Sequence, residues 1–215
     1  MPLFPTNPFE RHSLERQASV SFPQHRAFQR VSESPASPEP ADGITRWPRP
    51  ENAASAFGRK RLLIVCTANI CRSPMVAGIL QQRFEAGELA DKVDIRSSGV
   101  YGLEGEPASR EGIELLAERD IDISGHTASL LQPPDVEASD LVVVMEEAHR
   151  KAIIAYSLDY AHKVILFSEL AGGHTDMPDP YRKGKRAYVR TLEIIDDTLD
   201  AGWENLIKRL GLPTG

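Results

Sequence analysis

Hydrophobic patterning divides the chain in two. From Lys60 to about position 210, short apolar runs alternate with longer segments in which apolar residues return every three or four positions. Residues 61–65 form a compact apolar run ending at Cys66, the pattern of a strand buried on both faces. Ser73-Pro74 then opens a helix, since Ser suits the cap region and Pro is accepted in the first turn. Met75, Val76, Ile79, Leu80 and Phe84 share one face of that helix. Further strands are expected at 93–96, 141–145 and 164–167, and helices at 107–119, with Ile113, Leu115 and Leu116 inward, and at about 146–156. A Pro-rich loop at 177–181 precedes a last helix over about 185–210, with Tyr188, Leu192, Ile195, Leu199, Trp203 and Leu206 on one face. This β-α order predicts an α/β domain: a four-stranded parallel sheet with helices on both faces and a binding loop after strand 1.

Residues 1–58 follow a different rule. They are rich in Pro, Ser and Arg, as in Ser32-Glu33-Ser34-Pro35-Ala36-Ser37-Pro38-Glu39-Pro40, and show no sustained apolar period. Scattered Pro removes backbone donors and breaks helices, so a flexible N-terminal extension is expected, followed by a domain over 59–215. A short helix near 10–18 has weak support. The extension reads as a solvated tail, with a docking tail that buries Phe4, Phe9, Phe22, Phe28 and Trp47 against a partner as the alternative.

Composition narrows the function classes. A chain of 215 residues can bury one sizeable core. Its formal net charge of -6 disfavours general nucleic-acid binding, which rewards clustered Lys and Arg, yet leaves room for a local basic pocket. No apolar run approaches the roughly 18 to 20 residues needed to span a bilayer, and the N-terminus lacks a basic start followed by an apolar stretch. The expected compartment is the cytoplasm, without membrane insertion. The two cysteines, Cys66 and Cys71, are neither spaced as Cys-x-x-Cys nor enough to close a tetrahedral zinc site, so no metal is expected.

The candidate chemistry lies in Cys66-Thr67-Ala68-Asn69-Ile70-Cys71-Arg72-Ser73. A loop between a strand and a helix can turn its backbone N–H groups toward one point, and the helix N-terminus adds partial positive charge there. Such a concavity binds a tetrahedral oxyanion. Arg72, six residues after Cys66, can offer a planar guanidinium to two phosphate oxygens. The same surroundings favour the thiolate of Cys66. Ser73 can donate to that sulfur, cap the helix, or do both. Asn69 suits a left-handed turn and can hold the loop through its side chain. Cys71 is either a packing residue or a redox partner whose disulfide with Cys66 would switch the site off reversibly.

The run Leu62-Leu63-Ile64-Val65-Cys66-Thr67-Ala68-Asn69-Ile70-Cys71-Arg72-Ser73-Pro74-Met75 resembles the N-terminal signature of the low-molecular-weight protein tyrosine phosphatases. Ser97-Ser98-Gly99, Ile123-Ser124-Gly125-His126-Thr127-Ala128, Asp140-Leu141-Val142-Val143-Val144-Met145 and Met177-Pro178-Asp179-Pro180-Tyr181 resemble further segments of that family. The likeness covers about 60–210. It implies a phosphocysteine mechanism with Cys66 as nucleophile, loop amides and Arg72 on the phosphate, and Asp179 as acid and then base. Asp176 is the nearby competitor for that last role. The resemblance also implies that Asn69, Ser97 and His126 form a supporting hydrogen-bond network, and that no cofactor is required.

This sequence departs from the family pattern at several points. Ala68 stands where many members have Gly, and Val100 where Thr is common. The aromatic wall after the Ser-Ala-Gly segment is missing, with Leu103 and Glu104 in that stretch. Tyr181 is followed by Arg182 rather than a second Tyr; Tyr181 and Leu103 are the substrate-flanking candidates. The run Asp179-Pro180-Tyr181-Arg182-Lys183-Gly184 resembles the bacterial subgroup associated with exopolysaccharide synthesis. That likeness implies a phosphotyrosine protein substrate, in the form of an autophosphorylating tyrosine kinase with a Tyr-rich tail. A protein arginine phosphatase of the same fold is the first alternative, but such enzymes carry Thr where this chain has Ile70. A thiol-linked arsenate reductase would need further cysteines downstream, and the sequence has none after Cys71. A non-catalytic phosphate-binding module would need neither Cys66 nor Asp179.

Overall fold

The computed structural model describes residues 58–101 and 103–213; the N-terminal extension, and with it the short helix expected near 10–18, lies outside the described residues. Four strands, β1 (Lys60–Cys66), β2 (Val93–Gly99), β3 (Leu141–Val144) and β4 (Val164–Leu166), form one sheet in the order β2-β1-β3-β4, all parallel. Among the described residues five α-helices connect and cover them: α1 (Arg72–Ala86), α2 (Arg110–Ala117), α3 (Pro133–Glu137), α4 (Glu147–Tyr156) and α5 (Lys185–Leu210).

The strands bury both faces, because parallel crossovers place helices above and below the sheet. Leu62, Ile64 and Cys66 of β1 face one core with Met75 and Ile79 of α1, Leu115 and Leu116 of α2, and Leu192, Ile195 and Leu199 of α5. Leu63 and Val65 face a second core with Val136 of α3 and Ile153 of α4. Cys66 thus continues the inward alternation of its strand.

The order β2-β1-β3 decides where a site can form. After β1 the chain moves to one side for β2 and then crosses to the other side for β3. A crevice at the carboxyl ends of the strands opens at such a reversal, and the turn from β1 to α1 lies in it.

Three elements depart from the sequence expectation. The second helix begins at Arg110 rather than 107, because Pro107 bridges Thr127 and the Ser109 amide donates to Ile70 O at 2.6 Å. β2 runs on to Gly99, paired throughout with β1 up to Cys66↔Gly99. Helix α3, five residues opening on Pro133-Pro134, is too short to carry a readable apolar period.

Candidate active site

The loop from Cys66 to Ser73 wraps around polar groups that have almost no access to solvent. Asn69 is 0% exposed with φ 58°, a left-handed conformation that Asn tolerates better than most residues. Its Nδ2 donates to Ser73 Oγ and to Ser97 Oγ, both at 2.9 Å. Its Oδ1 accepts from the Ser129 amide at 2.9 Å, and its carbonyl lies 2.7 Å from His126 Nε2. Burial pushes the His126 imidazole below its ordinary value, partly offset by that carbonyl, so its neutral form donates to Asn69 O. The structure thus brings Asn69, Ser73, Ser97 and His126 into one network and adds Ser129, which no sequence signal pointed to.

Gly99 closes the loop from the β2 side. A Cβ there would lie 2.8 Å from Ala68 C and from Thr67 O, and 2.9 Å from Asn69 N, so only glycine lets the strand approach this closely. Ala68 itself is not among the positive-φ residues, so its backbone does not require the glycine common in the family.

The Cys66 sulfur receives the Asn69 amide at 3.3 Å and lies 3.0 Å from Ser73 Oγ. Arg72, 1% exposed, opens α1. Its Nη1 donates to Met177 O at 3.0 Å and pairs with Glu146. Its Nη2 donates to Thr67 Oγ1 at 3.0 Å and pairs with Asp179 Oδ2 at 3.1 Å. Nε is buried with no protein partner among the described residues, a donor that an oxyanion oxygen could take. Removing a guanidinium from water is costly unless its donors are used. Here the two carboxylates and the Met177 carbonyl fix the plane of the group and leave one edge for a ligand.

Two acidic residues near this edge differ in their engagements. Asp176 Oδ1 accepts the Glu147 amide at 2.7 Å in the first turn of α4, an orphan donor it satisfies. Asp179, with a side chain 40% exposed, faces Arg72 and accepts the Tyr181 amide at 3.2 Å. Asp176 is thus committed to a helix end, while Asp179 stands at the mouth. The acid loop is anchored at its start by buried Met177, whose amide donates to Met145 O at 2.8 Å.

With this geometry in view, the amino-acid sequence matches the model of the "Low molecular weight phosphotyrosine protein phosphatase" family over residues 61–211. The chain belongs to the low molecular weight phosphotyrosine protein phosphatases. Members are cysteine-dependent hydrolases. It is 36% identical over 152 residues to EpsP of Ralstonia nicotianae, named a probable low molecular weight protein-tyrosine-phosphatase, covering 71% of this chain and 99% of the relative. It is 31% identical over 139 residues to a protein-arginine-phosphatase of Bacillus subtilis, covering 64% of this chain and 91% of the relative. The solved low molecular weight protein tyrosine phosphatase of T. tengcongensis superposes with a TM-score of 0.64 at 36% identity, covering 68% of this chain and 99% of that one.

In this phosphatase Cys66 and Cys71 are both free thiols. Cys71 Sγ lies 3.1 Å from Tyr188 OH of α5, and burial pushes both groups above their ordinary values, favouring their neutral forms. Ile70 is half-buried and packs against the first core. Leu103 and Tyr181 are both exposed, and the Leu103 amide donates to Ala68 O at 3.4 Å. Tyr101, two residues after Gly99, is 60% exposed, and its amide donates to Thr67 O at 2.9 Å. Sequence reasoning also missed Glu146 and His149, one residue before α4 and three residues into it. Among the described residues no cluster of His, Cys, Asp and Glu is arranged to hold a metal ion. Among them, too, no helix is long and apolar enough to cross a membrane.

Proposed function

We propose that the phosphatase hydrolyses phosphotyrosine in proteins through a phosphocysteine formed on Cys66. The single observation that carries this reading is the convergence on Arg72: its guanidinium spans from the loop that embraces the Cys66 sulfur to Asp179 Oδ2 at 3.1 Å. In the first step the Cys66 thiolate attacks phosphorus and the bond to the phenolic oxygen breaks. The loop amides of Thr67, Ala68, Asn69, Ile70, Cys71 and Arg72, with the free edge of the Arg72 guanidinium, bind the three equatorial oxygens. Asp179 gives its proton to the leaving oxygen, because a phenolate with a pKa near 10 leaves slowly unprotonated. In the second step Asp179 takes a proton from water, which attacks phosphorus. The S–P bond breaks, phosphate leaves, and the returning thiolate is stabilised by Ser73 Oγ, 3.0 Å from the sulfur.

Within this reading Asn69, Ser97 and His126 keep the loop in shape, and Tyr181 and Leu103 flank the substrate ring. Cys71 is the candidate redox partner of Cys66. The favoured substrate is an autophosphorylating tyrosine kinase of exopolysaccharide synthesis, on the likeness of Asp179-Pro180-Tyr181-Arg182-Lys183-Gly184 to that subgroup. The reading places the reaction in the cytoplasm, where thiols are kept reduced. It also treats residues 1–58 as separable from the catalytic domain, which is consistent with a family match that starts at 61. A chain starting at Gly58 is then expected to turn over p-nitrophenyl phosphate at an unchanged rate; loss of turnover in that chain refutes the boundary.

The deciding experiment compares hydrolysis of matched phosphotyrosine, phosphoserine and phosphoarginine peptides, with the Cys66→Ser protein as control. Phosphotyrosine is expected to be preferred, since Ile70 offers no hydroxyl to orient an attack on phosphoarginine. A preference for phosphoarginine would instead align the chain with its Bacillus relative.

A further inference from the structure

Thr67 and His149 form a pair that phosphocysteine chemistry, as described above, does not use. His149 lies in α4, 3% exposed, with Nε2 3.0 Å from Thr67 Oγ1. The same Oγ1 accepts from Arg72 Nη2 at 3.0 Å. His149 Nδ1 is buried with no partner among the described residues. Three elements face this imidazole: Glu146 from the start of its own helix, with Oε1 3.9 Å from Nε2; Arg72 from α1; and Asp176 and Asp179 from the acid loop.

A count of protons settles the direction of these bonds. A threonine hydroxyl has one hydrogen and two lone pairs, and a guanidinium only donates, so Arg72 occupies one lone pair. If Thr67 donated to Nε2, the imidazole proton would sit on Nδ1, a buried N–H with no acceptor. Orphaned buried N–H groups are rarer and costlier than underused acceptors. If Nε2–H donates instead, Nδ1 is a bare acceptor and the Glu146 carboxylate lies on the side of the donor. Burial also lowers the imidazole below its ordinary value, which favours the neutral ring this arrangement needs. Both Thr67 lone pairs are then filled, and the hydroxyl hydrogen is left to find an acceptor beside the Arg72 edge.

We propose that the Thr67 hydroxyl is a phosphate-binding donor of this site, and that His149 is the positioning residue that turns its hydrogen toward the substrate oxyanion. The proposal deepens the phosphatase reading and rests on it for the location of the phosphate. It gives the cradle one side-chain donor besides Arg72, adjacent in sequence to Cys66.

The test uses the full chain with two readouts: kcat/KM on p-nitrophenyl phosphate, and the Kd of inorganic phosphate by calorimetry. A hydrogen bond to a charged group predicts that Thr67→Val weakens phosphate binding and lowers kcat/KM by about 10-fold or more, while Thr67→Ser stays near wild type. His149→Leu should reproduce the Thr67→Val loss, the double variant should lose no more than either single one, and His149→Gln, whose amide can replace Nε2–H, should restore most of it. Wild-type phosphate affinity and kcat/KM in Thr67→Val, or additive losses in the double variant, overturn the proposal. If Thr67→Val fails to fold, the contrast between His149→Leu and His149→Gln decides in the same way. A wild-type chain that binds phosphate through Thr67 yet hydrolyses no aryl phosphate would sink the phosphatase reading and leave this inference standing.

Discussion

The loop at 66–73 and the acid loop at 176–184 meet at one guanidinium, and they are built on opposite terms. In the first, Asn69, Arg72 and Ser73 are at most 1% exposed, and the Asn69 side chain is held by Ser73 of α1, Ser97 of β2 and the Ser129 amide. In the second, Met177 anchors the start and everything from Asp179 to Arg186 except Pro180 faces solvent or nearly so. An oxyanion is best stabilised by dipoles that are already aimed and need not reorganise. A group that must give a proton to a leaving oxygen and then take one from water needs access to both. The difference in burial between the two loops follows the difference in their proposed tasks, and Arg72 couples them, since it is rigid on one side and paired with exposed Asp179 on the other.

The sharpest break in that comparison removes the nucleophile and leaves the cradle. Cys66→Ser is expected to lower turnover of any aryl phosphate by on the order of 10⁴-fold or more while inorganic phosphate still binds. Turnover within 10-fold of wild type in stopped assays would refute Cys66 as nucleophile. The next largest effect strikes the open loop. Asp179→Asn should lower kcat on a phosphotyrosine peptide by about 10²- to 10⁴-fold, but only slightly on an aryl phosphate with a good leaving group, because that oxygen needs no proton. Equal losses on the two substrates would assign Asp179 to holding Arg72 rather than to proton transfer.

Asn69→Ala strikes the closed loop and should be felt as stability as well as rate. It leaves the Ser129 amide and the Ser97 and Ser73 hydroxyls without their buried partner, and puts Ala at φ 58°. A loss of about 3 kcal/mol follows, which for a domain of this size lowers Tm by roughly 6 to 12 °C. Asp179→Asn, on the exposed side, should move Tm little. Similar Tm losses in both variants would erase the contrast between the loops.

The two loops were not equally legible in the sequence. Cys66, Arg72 and Ser73 sit within eight consecutive residues, so a strand, a turn and a helix start place them together by local geometry alone. The parallel sheet was legible for a similar reason, since β3, β4 and β1 from Leu62 onward are short apolar runs with no polar residue facing either side. Glu146, His149 and Ser129 were not legible, because their place beside the cradle depends on the order of β3 next to β1 and on the bridge between Gly99 and Leu130. Neither leaves a periodic trace. The sequence favoured Asp179 over Asp176 through its flanking prolines and the Asp-Pro motif, but gave no sign that Asp176 caps a helix end.

The smallest effect concerns how the closed loop responds to acid. Folded His126 resists protonation, chiefly through burial, whereas in the unfolded chain it takes a proton near pH 6.5. As pH falls through that value the unfolded state binds more protons than the folded one, so stability declines. The stabilising share is complete above about pH 6.5 and is lost as pH drops toward the lower folded value. His149 shifts in the same direction, also mainly by burial, and adds to the slope. His126→Gln can keep a donor to Asn69 O but has nothing to titrate. Its Tm should therefore fall less steeply than wild type between pH 8 and pH 5, and by less than the whole slope because His149 remains. An unchanged slope would mean that the contact between His126 and Asn69 O does not depend on the charge of the ring, and that the acid sensitivity of the cradle resides in His149 alone.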